Sequence, residues 1–316
     1  MKLVIADRAT LLRTLRAVAS VATVYGSPEH RKMRINAYRI NTDQDGFDDL
    51  ARIHAAIERE SAGDVLVDCS RLAWLDANMC APLAAAIVAP GRRIILQQLR
   101  PTIETILRKN GFLGGALDDT HRTTIHLQQF DVTGSADFKS YVEQNFRGKG
   151  LPVMTVGLQR EFRRSIFELF ENAVTHSKTQ LGIFACGQFF PTKQRLHFCL
   201  ADRGIGIPAS VRGYLGQALA APEAIDWAMT GQNTTRRVAD RVPGGLGLKI
   251  IRDFIAQNGG AIRVASESGY WWVRATNVGK AKLAAPFPGT VVDIEINTAD
   301  SKMYQLAGEV DPAAIF

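Results

Sequence analysis

The chain has 316 residues, of which 46% are hydrophobic, and a formal net charge of +7. This length exceeds the usual domain size of about 100–200 residues and predicts two domains. No apolar run of roughly 18 residues is present, and the first thirty residues lack the apolar core of a secretion signal, so we expect a cytoplasmic protein without a membrane segment. The basic residues are dispersed, which does not indicate nucleic acid as a partner.

Residues 1–125 alternate between strand-like and helix-like segments, which indicates an α/β fold. The last helix of this series is expected to end at Gly111. Residues 126–150 contain three glycines among mixed polar residues and are predicted to be a connector with one short helix at 136–146. The predicted strands lie at 33–40, 64–70 and 92–98, and the predicted helices at 47–60, 75–89 and 100–112.

Residues 151–298 follow a different pattern, in which a long helix precedes a hairpin that turns at Pro191–Lys193. A glycine-punctuated loop then leads into a helix from Leu246. Helices beside a mostly antiparallel sheet predict an α+β two-layer sandwich, followed by a tail at 299–316. The predicted helix lies at 158–176, and the predicted strands at 181–190, 195–201, 261–268, 270–275 and 289–297.

The segment ELFENAVTHS, residues 168–177, places Glu168 and Asn172 one helical turn apart on one face. An isolated pair of this kind is more often a solvated surface, so its meaning depends on the motifs that follow. DRGIGIP begins with Asp202 at a strand end and continues with Gly204 and Gly206, which allow close backbone approach to a ligand.

Two further motifs complete the series. The run PGGLGL at 243–248 opens a helix, and such a helix end presents free N–H groups suited to phosphate. The final motif, PGT at 288–290, places Thr290 at the start of the last strand.

These four motifs, in this order, resemble the Bergerat or GHKL ATP-binding fold of gyrase, Hsp90-type chaperones, MutL and histidine kinases. The resemblance implies ATP and Mg²⁺ as cofactors, Asn172 as the magnesium ligand and Glu168 as the general base. It also implies that Asp202 and Thr290 hold the adenine and that a mobile lid spans about 209–243. The residues implied to line the base and the phosphates are Gly204, Gly206, Gly244, Gly245, Leu246, Gly247 and Leu248.

Two positions bear on the type of relative. Pro243 stands where many kinases have another glycine. We expect this proline to stiffen the chain where the lid ends. His176 ends the motif helix, where the resemblance implies packing or capping and not a phosphoacceptor role. No pair of long helices is predicted before residue 151, so classical histidine autophosphorylation is disfavoured.

The segment from Val65 to Leu113 resembles the STAS domain of anti-sigma antagonists. Asp68 and Asp76 match the strand end and the turn of that family. Ala77 and Asn78 stand where the family carries its phosphorylatable hydroxyl, so we expect no phosphorylation there. Because this hydroxyl is missing, we expect a fixed docking or sensing surface that contacts either its own ATP-binding domain or a separate STAS-like partner.

These resemblances together predict a cytosolic regulator in which residues 1–125 form a STAS-like domain and residues 151–298 the ATP-binding domain. The residue pattern of the motif helix most resembles the anti-sigma-type serine/threonine kinases of partner-switching systems. This resemblance implies a kinase that acts on a protein partner. An ATP-driven switch or clamp, as in gyrase, Hsp90 and MutL, stays open as an alternative. A nucleotide-sensing module without turnover is a third option that Glu168 argues against. A homodimer also stays open.

Overall fold

The computed structural model describes residues 31–60, 63–114, 117–230 and 246–309. Expectations for residues 1–30, for the part of the predicted lid at 231–243 with Pro243, for Gly244 and Gly245, and for residues 310–316 lie outside the described residues. Within those ranges, no helix combines the length and the apolar character needed to cross a membrane.

The N-terminal half has the expected alternation of strands and helices. Three parallel strands pair in the order β1-β3-β5, and β2 pairs with β4 in a separate parallel pair. The last helix ends at Gly111, as predicted, and Gly111 caps it in the left-handed conformation. The elements are β1 (Arg31–Arg34), β2 (Arg39–Ile40), α1 (Gln44–Glu58), β3 (Val65–Asp68), β4 (Trp74–Leu75), a 3-10 turn (Ala77–Met79), α2 (Cys80–Ile87), β5 (Ile94–Gln97) and α3 (Pro101–Asn110).

The C-terminal half is built on an antiparallel sheet of five strands in the order β6-β7-β8-β10-β9. The predicted hairpin is confirmed as β7 and β8. The elements are β6 (Thr124–Phe130), α4 (Ser135–Asn145), α5 (Val156–His176), β7 (Ile183–Phe190), β8 (Arg195–Asp202), α6 (Gly206–Leu215), α7 (Ala221–Met229), α8 (Leu246–Asn258), β9 (Ala261–Arg274) and β10 (Asn277–Asn297).

The segment 126–150, expected to be a connector, contributes to this sheet and its helical layer. Most of β6 lies in it and pairs with β7 as an edge strand. Phe138 of α4 stacks on Phe170 of α5 with ring centroids 4.4 Å apart. The glycines that suggested a linker instead lie in the turns on either side of α4. The C-terminal half therefore starts before residue 151.

The last hairpin is longer than the sequence indicated. The two strands predicted at 261–268 and 270–275 are one strand, β9, and β10 begins at Asn277, not at 289. The pairing shifts register on both sides of Phe287, and Glu267 takes a left-handed φ of 47° beside the shift. Such bulges break the regular alternation from which strands are recognised in a sequence. The extension lies over α1, where Asp48 accepts a hydrogen bond of 2.5 Å from Ala284 N.

The two faces of the five-stranded sheet are covered by different parts of the chain. Phe198 and Leu200 of β8 pack with α5 and α8 in one hydrophobic core. Cys199 and Ala201, which alternate with them, pack with the N-terminal half in a second core. This second core is continuous between the two halves, so the N-terminal half covers the face of the sheet opposite the helices.

Candidate functional site

Helix α5 carries two of the predicted site residues. Thr155 caps its start by accepting a hydrogen bond from Leu158 N at 3.3 Å. The buried side chains of Phe162, Ile166 and Phe170 fix its apolar side against the sheet and its neighbours. Glu168 and Asn172 are both partly buried, one turn apart as expected. A carboxylate and a carboxamide are thereby presented from a helix whose position is set by packing.

The glycine turn after β8 is fastened to the end of α5. Ile205 N donates a hydrogen bond of 2.7 Å to the carbonyl oxygen of Ser177, the residue that follows the helix. A Cβ atom at Gly204 would lie 2.0 Å from that same oxygen. Glycine is therefore required at position 204 by the close approach of two backbones.

Asp202 is the last residue of β8 and its side chain is buried, with 4% of the residue exposed. Its Oδ1 accepts a hydrogen bond of 2.8 Å from Gly204 N, and the carboxylate also accepts from the backbone N–H of Thr290. Burial raises the pKa of Asp202 to about 7, although both hydrogen bonds oppose that rise. This carboxyl group is therefore costly to bury as an anion, as expected at a functional site.

Ser266 of β9 connects the glycine turn after β8 to the Gly289–Thr290 segment of β10. The sequence patterns did not predict this residue. Its hydroxyl is fully buried, donates to Gly289 O at 2.7 Å and accepts from Ile207 N at 3.0 Å. Thr290 Oγ1 lies 2.9 Å from Ser266 Oγ. Because the single proton of Ser266 is directed to Gly289, Thr290 is the donor in this contact, which leaves its lone pairs as acceptors. Gly206 has a φ of +79° beside this serine.

Asp202 and Thr290 face the same side of the sheet as α5 and α8. The two residues are opposite each other in the pairing of β8 with β10. Asp202 alternates in phase with Leu200, whose side chain belongs to the core shared with the helices. The structure thus brings the strand-end carboxylate and the threonine to the edge of the layer that carries Glu168 and Asn172.

Helix α8 spans Leu246–Asn258 among the described residues, where the glycine motif predicted a helix. It packs along α5, where Phe254 meets Phe162 edge-on with centroids 5.3 Å apart. Gly247 lies in its first turn together with Leu246 and Leu248. The first turn of the helix predicted to hold phosphate therefore belongs to the same helical layer as α5.

Two helices, α6 and α7, form the described part of the predicted lid. Arg212 donates to Glu267 at 2.9 Å and to Leu219 O at 2.8 Å, which fastens α6 to β9. Asp226 of α7 accepts from Trp271 Nε1 at 2.8 Å. Residues 231–245 lie outside the described residues, so the mobile lid stays a prediction.

The chemistry of the side chains fits magnesium held through few protein ligands. Across the described ranges, no three histidine, cysteine, aspartate or glutamate side chains gather into a metal-binding cluster. Mg²⁺ keeps several waters and is commonly bound by one or two protein oxygens together with substrate phosphates. The amide oxygen of Asn172 is of the type that such a site needs.

Residues 157–298 match the family model of histidine kinase-, DNA gyrase B-, and HSP90-like ATPases. The matched region runs from the first turn of α5 to the residue after β10 and contains every predicted site residue. The match supports the predicted GHKL ATPase domain and, with it, ATP as the ligand. No curated protein matches the chain. The STAS resemblance concerns residues before the matched region and stays a prediction.

Proposed function

We propose that this protein is an ATP-dependent protein kinase of the partner-switching type, with a STAS-like N-terminal half. The observation that carries the nucleotide-binding part of this proposal is the hydrogen bond between Ile205 N and Ser177 O. It joins the glycine turn after Asp202 to the end of the helix that bears Glu168 and Asn172. One nucleotide placed along this junction would reach all three side chains, and the family match over 157–298 supports ATP as that nucleotide.

Each side chain has a defined task in this proposal. Asp202 accepts a hydrogen bond from the adenine amino group, and Thr290 offers the lone pairs that its contact with Ser266 leaves free. Asn172 supplies one amide oxygen to Mg²⁺, which neutralises charge on the phosphates. Glu168, one helical turn from Asn172, accepts the proton of the attacking hydroxyl group. The proposed phosphate cradle consists of Gly244, Gly245, Leu246, Gly247 and Leu248.

The N-terminal half is proposed to act as a docking module for its own ATP-binding half. Asn78 is fully buried and donates from Nδ2 to Asp293 Oδ1 of β10 at 2.9 Å. Asp76 accepts from Thr42 N at 2.8 Å and from Trp74 Nε1 at 2.9 Å. The turn that carries the phosphorylated hydroxyl in STAS domains is therefore engaged within the chain, which favours the intramolecular option over a separate STAS-like partner.

An ATP-driven conformational switch without kinase activity is the second candidate. The hydrophobic core shared by the two halves favours it, because a change in the sheet would be transmitted directly to the N-terminal half. The two candidates differ in where the terminal phosphate goes. A kinase transfers it to a protein hydroxyl, whereas a switch releases it to water.

The test begins with a partner captured on the full chain in the presence of a non-hydrolysable ATP analogue. The captured protein is then incubated with the full chain and γ-labelled ATP, with Glu168→Gln as the inactive control. If the partner is labelled with the natural chain but not with Glu168→Gln, the result supports the kinase. Release of free phosphate with no labelled protein would establish the switch instead.

A further inference from the structure

The carboxyl ends of the parallel strands β1, β3 and β5 form one edge of the N-terminal half. The last residues of these strands, Arg34, Asp68 and Gln97, lie side by side in the pairing. The loops that follow them, at 35–38, 69–73 and 98–100, contain no aspartate or glutamate in their sequences. Open α/β sheets commonly bind ligands outside the carboxyl ends of their strands. Because the N-terminal half covers the opposite face of the five-stranded sheet from α5 and α8, this edge is separate from the candidate nucleotide site.

Two arginines at this edge are each held by a single nitrogen. Arg34 Nε donates a hydrogen bond of 3.1 Å to Asp68 Oδ2, and the Arg34 side chain is 61% exposed. Arg100 is exposed, and its Nε donates a hydrogen bond of 3.2 Å to Ser70 O. Within the part of the chain that the structure describes, the Nη groups of these two arginines have no hydrogen-bond partner. Each guanidinium group is therefore fixed in position while most of its N–H donors are unused.

The acids nearest to these arginines are already engaged. Asp68 is buried and accepts hydrogen bonds from Arg34 and from a backbone N–H at 2.9 Å. Glu104, in the first turn of α3, pairs with Arg108 at 2.8 Å. Arg71 is exposed and adds a third positive charge to the loop after β3. Positive charge therefore exceeds negative charge at this edge, which favours an anion as the ligand.

An exposed aromatic ring lies beside Arg100. Tyr38 is 60% exposed, and the guanidinium carbon of Arg100 lies 6.0 Å from its ring centroid. The backbone of Tyr38 is fixed, because its carbonyl oxygen accepts hydrogen bonds from Ala73 N at 2.8 Å and from Trp74 N at 3.3 Å. The ring thus offers an apolar surface next to the unused donors of Arg100, against which the carbon part of a ligand can pack.

We propose that this edge binds a phosphate monoester, either a free ester or a phosphorylated side chain of a protein. A phosphate monoester carries about 1.5–2 negative charges at pH 7 and three acceptor oxygens. The planar guanidinium group of Arg100 matches two of these oxygens with parallel hydrogen bonds. Arg34 and Arg71 supply further positive charge, and the ring of Tyr38 packs against the carbon group of the ester. The proposal does not depend on ATP binding at α5 and α8.

Calorimetry on the full chain without magnesium tests this, with phenyl phosphate as the probe. Phenyl sulfate has the same ring but a single charge, and inorganic phosphate has no ring, so each should bind more weakly than phenyl phosphate. Arg100→Gln should weaken the binding of phenyl phosphate by about fivefold or more, since an exposed charged contact is lost. Arg52→Gln is the matched control, because the Arg52 side chain is 60% exposed on α1 and pairs there with Asp49.

Tyr38→Ala should remove the preference for phenyl phosphate over inorganic phosphate and leave the affinity for inorganic phosphate nearly unchanged. A phosphoserine peptide of otherwise neutral residues distinguishes the two sources of the ester. Binding tighter than that of phenyl phosphate indicates a phosphorylated protein, and weaker binding indicates a free ester. Either result supports the site if Arg100→Gln weakens it. The proposal is overturned if neither phenyl phosphate nor the peptide binds saturably, if phenyl sulfate binds as tightly as phenyl phosphate, or if Arg100→Gln weakens binding no more than Arg52→Gln.

Discussion

Arg203 donates a hydrogen bond of 2.7 Å to Glu58, so the residue after the strand-end carboxylate is held by the last residue of α1. The Arg203 side chain is 14% exposed, and Glu58 also lies 3.7 Å from Arg92. Asp202 alternates in phase with Leu200 of the helical core, whereas Arg203, which follows the strand, reaches α1 on the other side of the sheet. The turn proposed to hold adenine on one face is thus anchored to the N-terminal half on the other.

Glu58→Gln should weaken ATP binding about two- to fivefold. The ion pair is partly exposed, and pairs of this kind contribute about 0.2–1 kcal/mol. Calorimetric titration with magnesium-ATP measures the change. Asp49→Asn is the control, since Asp49 belongs to the same helix but pairs with Arg52 within it. Equal effects of the two variants would show that the ion pair between Arg203 and Glu58 does not contribute to ATP binding.

Asp202→Asn should weaken ATP binding severely. The adenine amino group would then face a carboxamide that can present its own donor, and a mispaired buried contact costs about 1–3 kcal/mol. That range corresponds to roughly 5- to 150-fold in the dissociation constant. Unchanged affinity in calorimetry would remove Asp202 from the proposed adenine site.

The same substitution should also change the pH dependence of stability without nucleotide. The folded-state pKa of Asp202 is about 7 against an ordinary value of 3.8, so between these values the folded protein holds more protons than the unfolded one. Stability of the natural chain should therefore fall, relative to Asp202→Asn, as pH rises from about 4 to about 7. The largest change expected in the difference between their free energies of unfolding is about 4 kcal/mol, which corresponds to three pKa units.

Urea unfolding at several pH values measures this difference. Glu295, whose pKa is lowered to about 2 because Arg263 and His197 outweigh the effect of its burial, titrates in both proteins and cancels in the comparison. A difference in stability that stays constant from pH 4 to pH 8 would contradict a raised pKa at Asp202.

The parts of the fold that sequence patterns predicted are those where local rules and tertiary structure agree. The helix with Glu168 and Asn172 has a clear apolar stripe, and Gly111 ends α3 as a left-handed cap. Ser266 was not predicted, because its role arises from the pairing of β9 with β10, in which it lies opposite Thr290. Nothing in its local sequence distinguishes it from other strand serines.

The same limit applies to the packing between the two halves. Asn78 was recognised as a departure from the STAS pattern, but its contact with Asp293 spans 215 residues of sequence. The strand β6 was missed because its polar residues and the glycines on either side of α4 suggested a linker. Both features depend on long-range pairing, which periodicity in a short window does not reveal.

Glu168 and Asn172 should separate catalysis from binding. Glu168→Ala should bind ATP nearly normally but lose turnover by about 10²- to 10⁴-fold, the usual effect of removing a general base. Asn172→Ala should instead lose the magnesium-dependent part of ATP binding. Calorimetry with and without magnesium, beside a turnover assay, compares the two. The same binding defect in both variants would refute this division of roles.

Asn78→Asp should destabilise the contact between the two halves. Asp293 is fully buried and accepts from Asn78 at 2.9 Å and from Arg263 at 3.1 Å. A carboxylate at position 78 would replace the donor with a like charge beside Asp293, and an uncompensated buried charge costs about 3–5 kcal/mol. Urea unfolding should therefore show a large loss of stability, or a separate early transition of the N-terminal half.

The double variant Asn78→Asp with Asp293→Asn is the matched control, because it restores one donor and one acceptor in reversed positions. It should recover part of the lost stability, although Arg263 then faces an amide in place of a carboxylate. A double variant no more stable than Asn78→Asp would mean that the loss comes from packing around position 78 and not from charge. If Asn78→Asp alone unfolds like the natural chain, the two halves do not depend on this contact, and docking through the STAS-like turn is wrong.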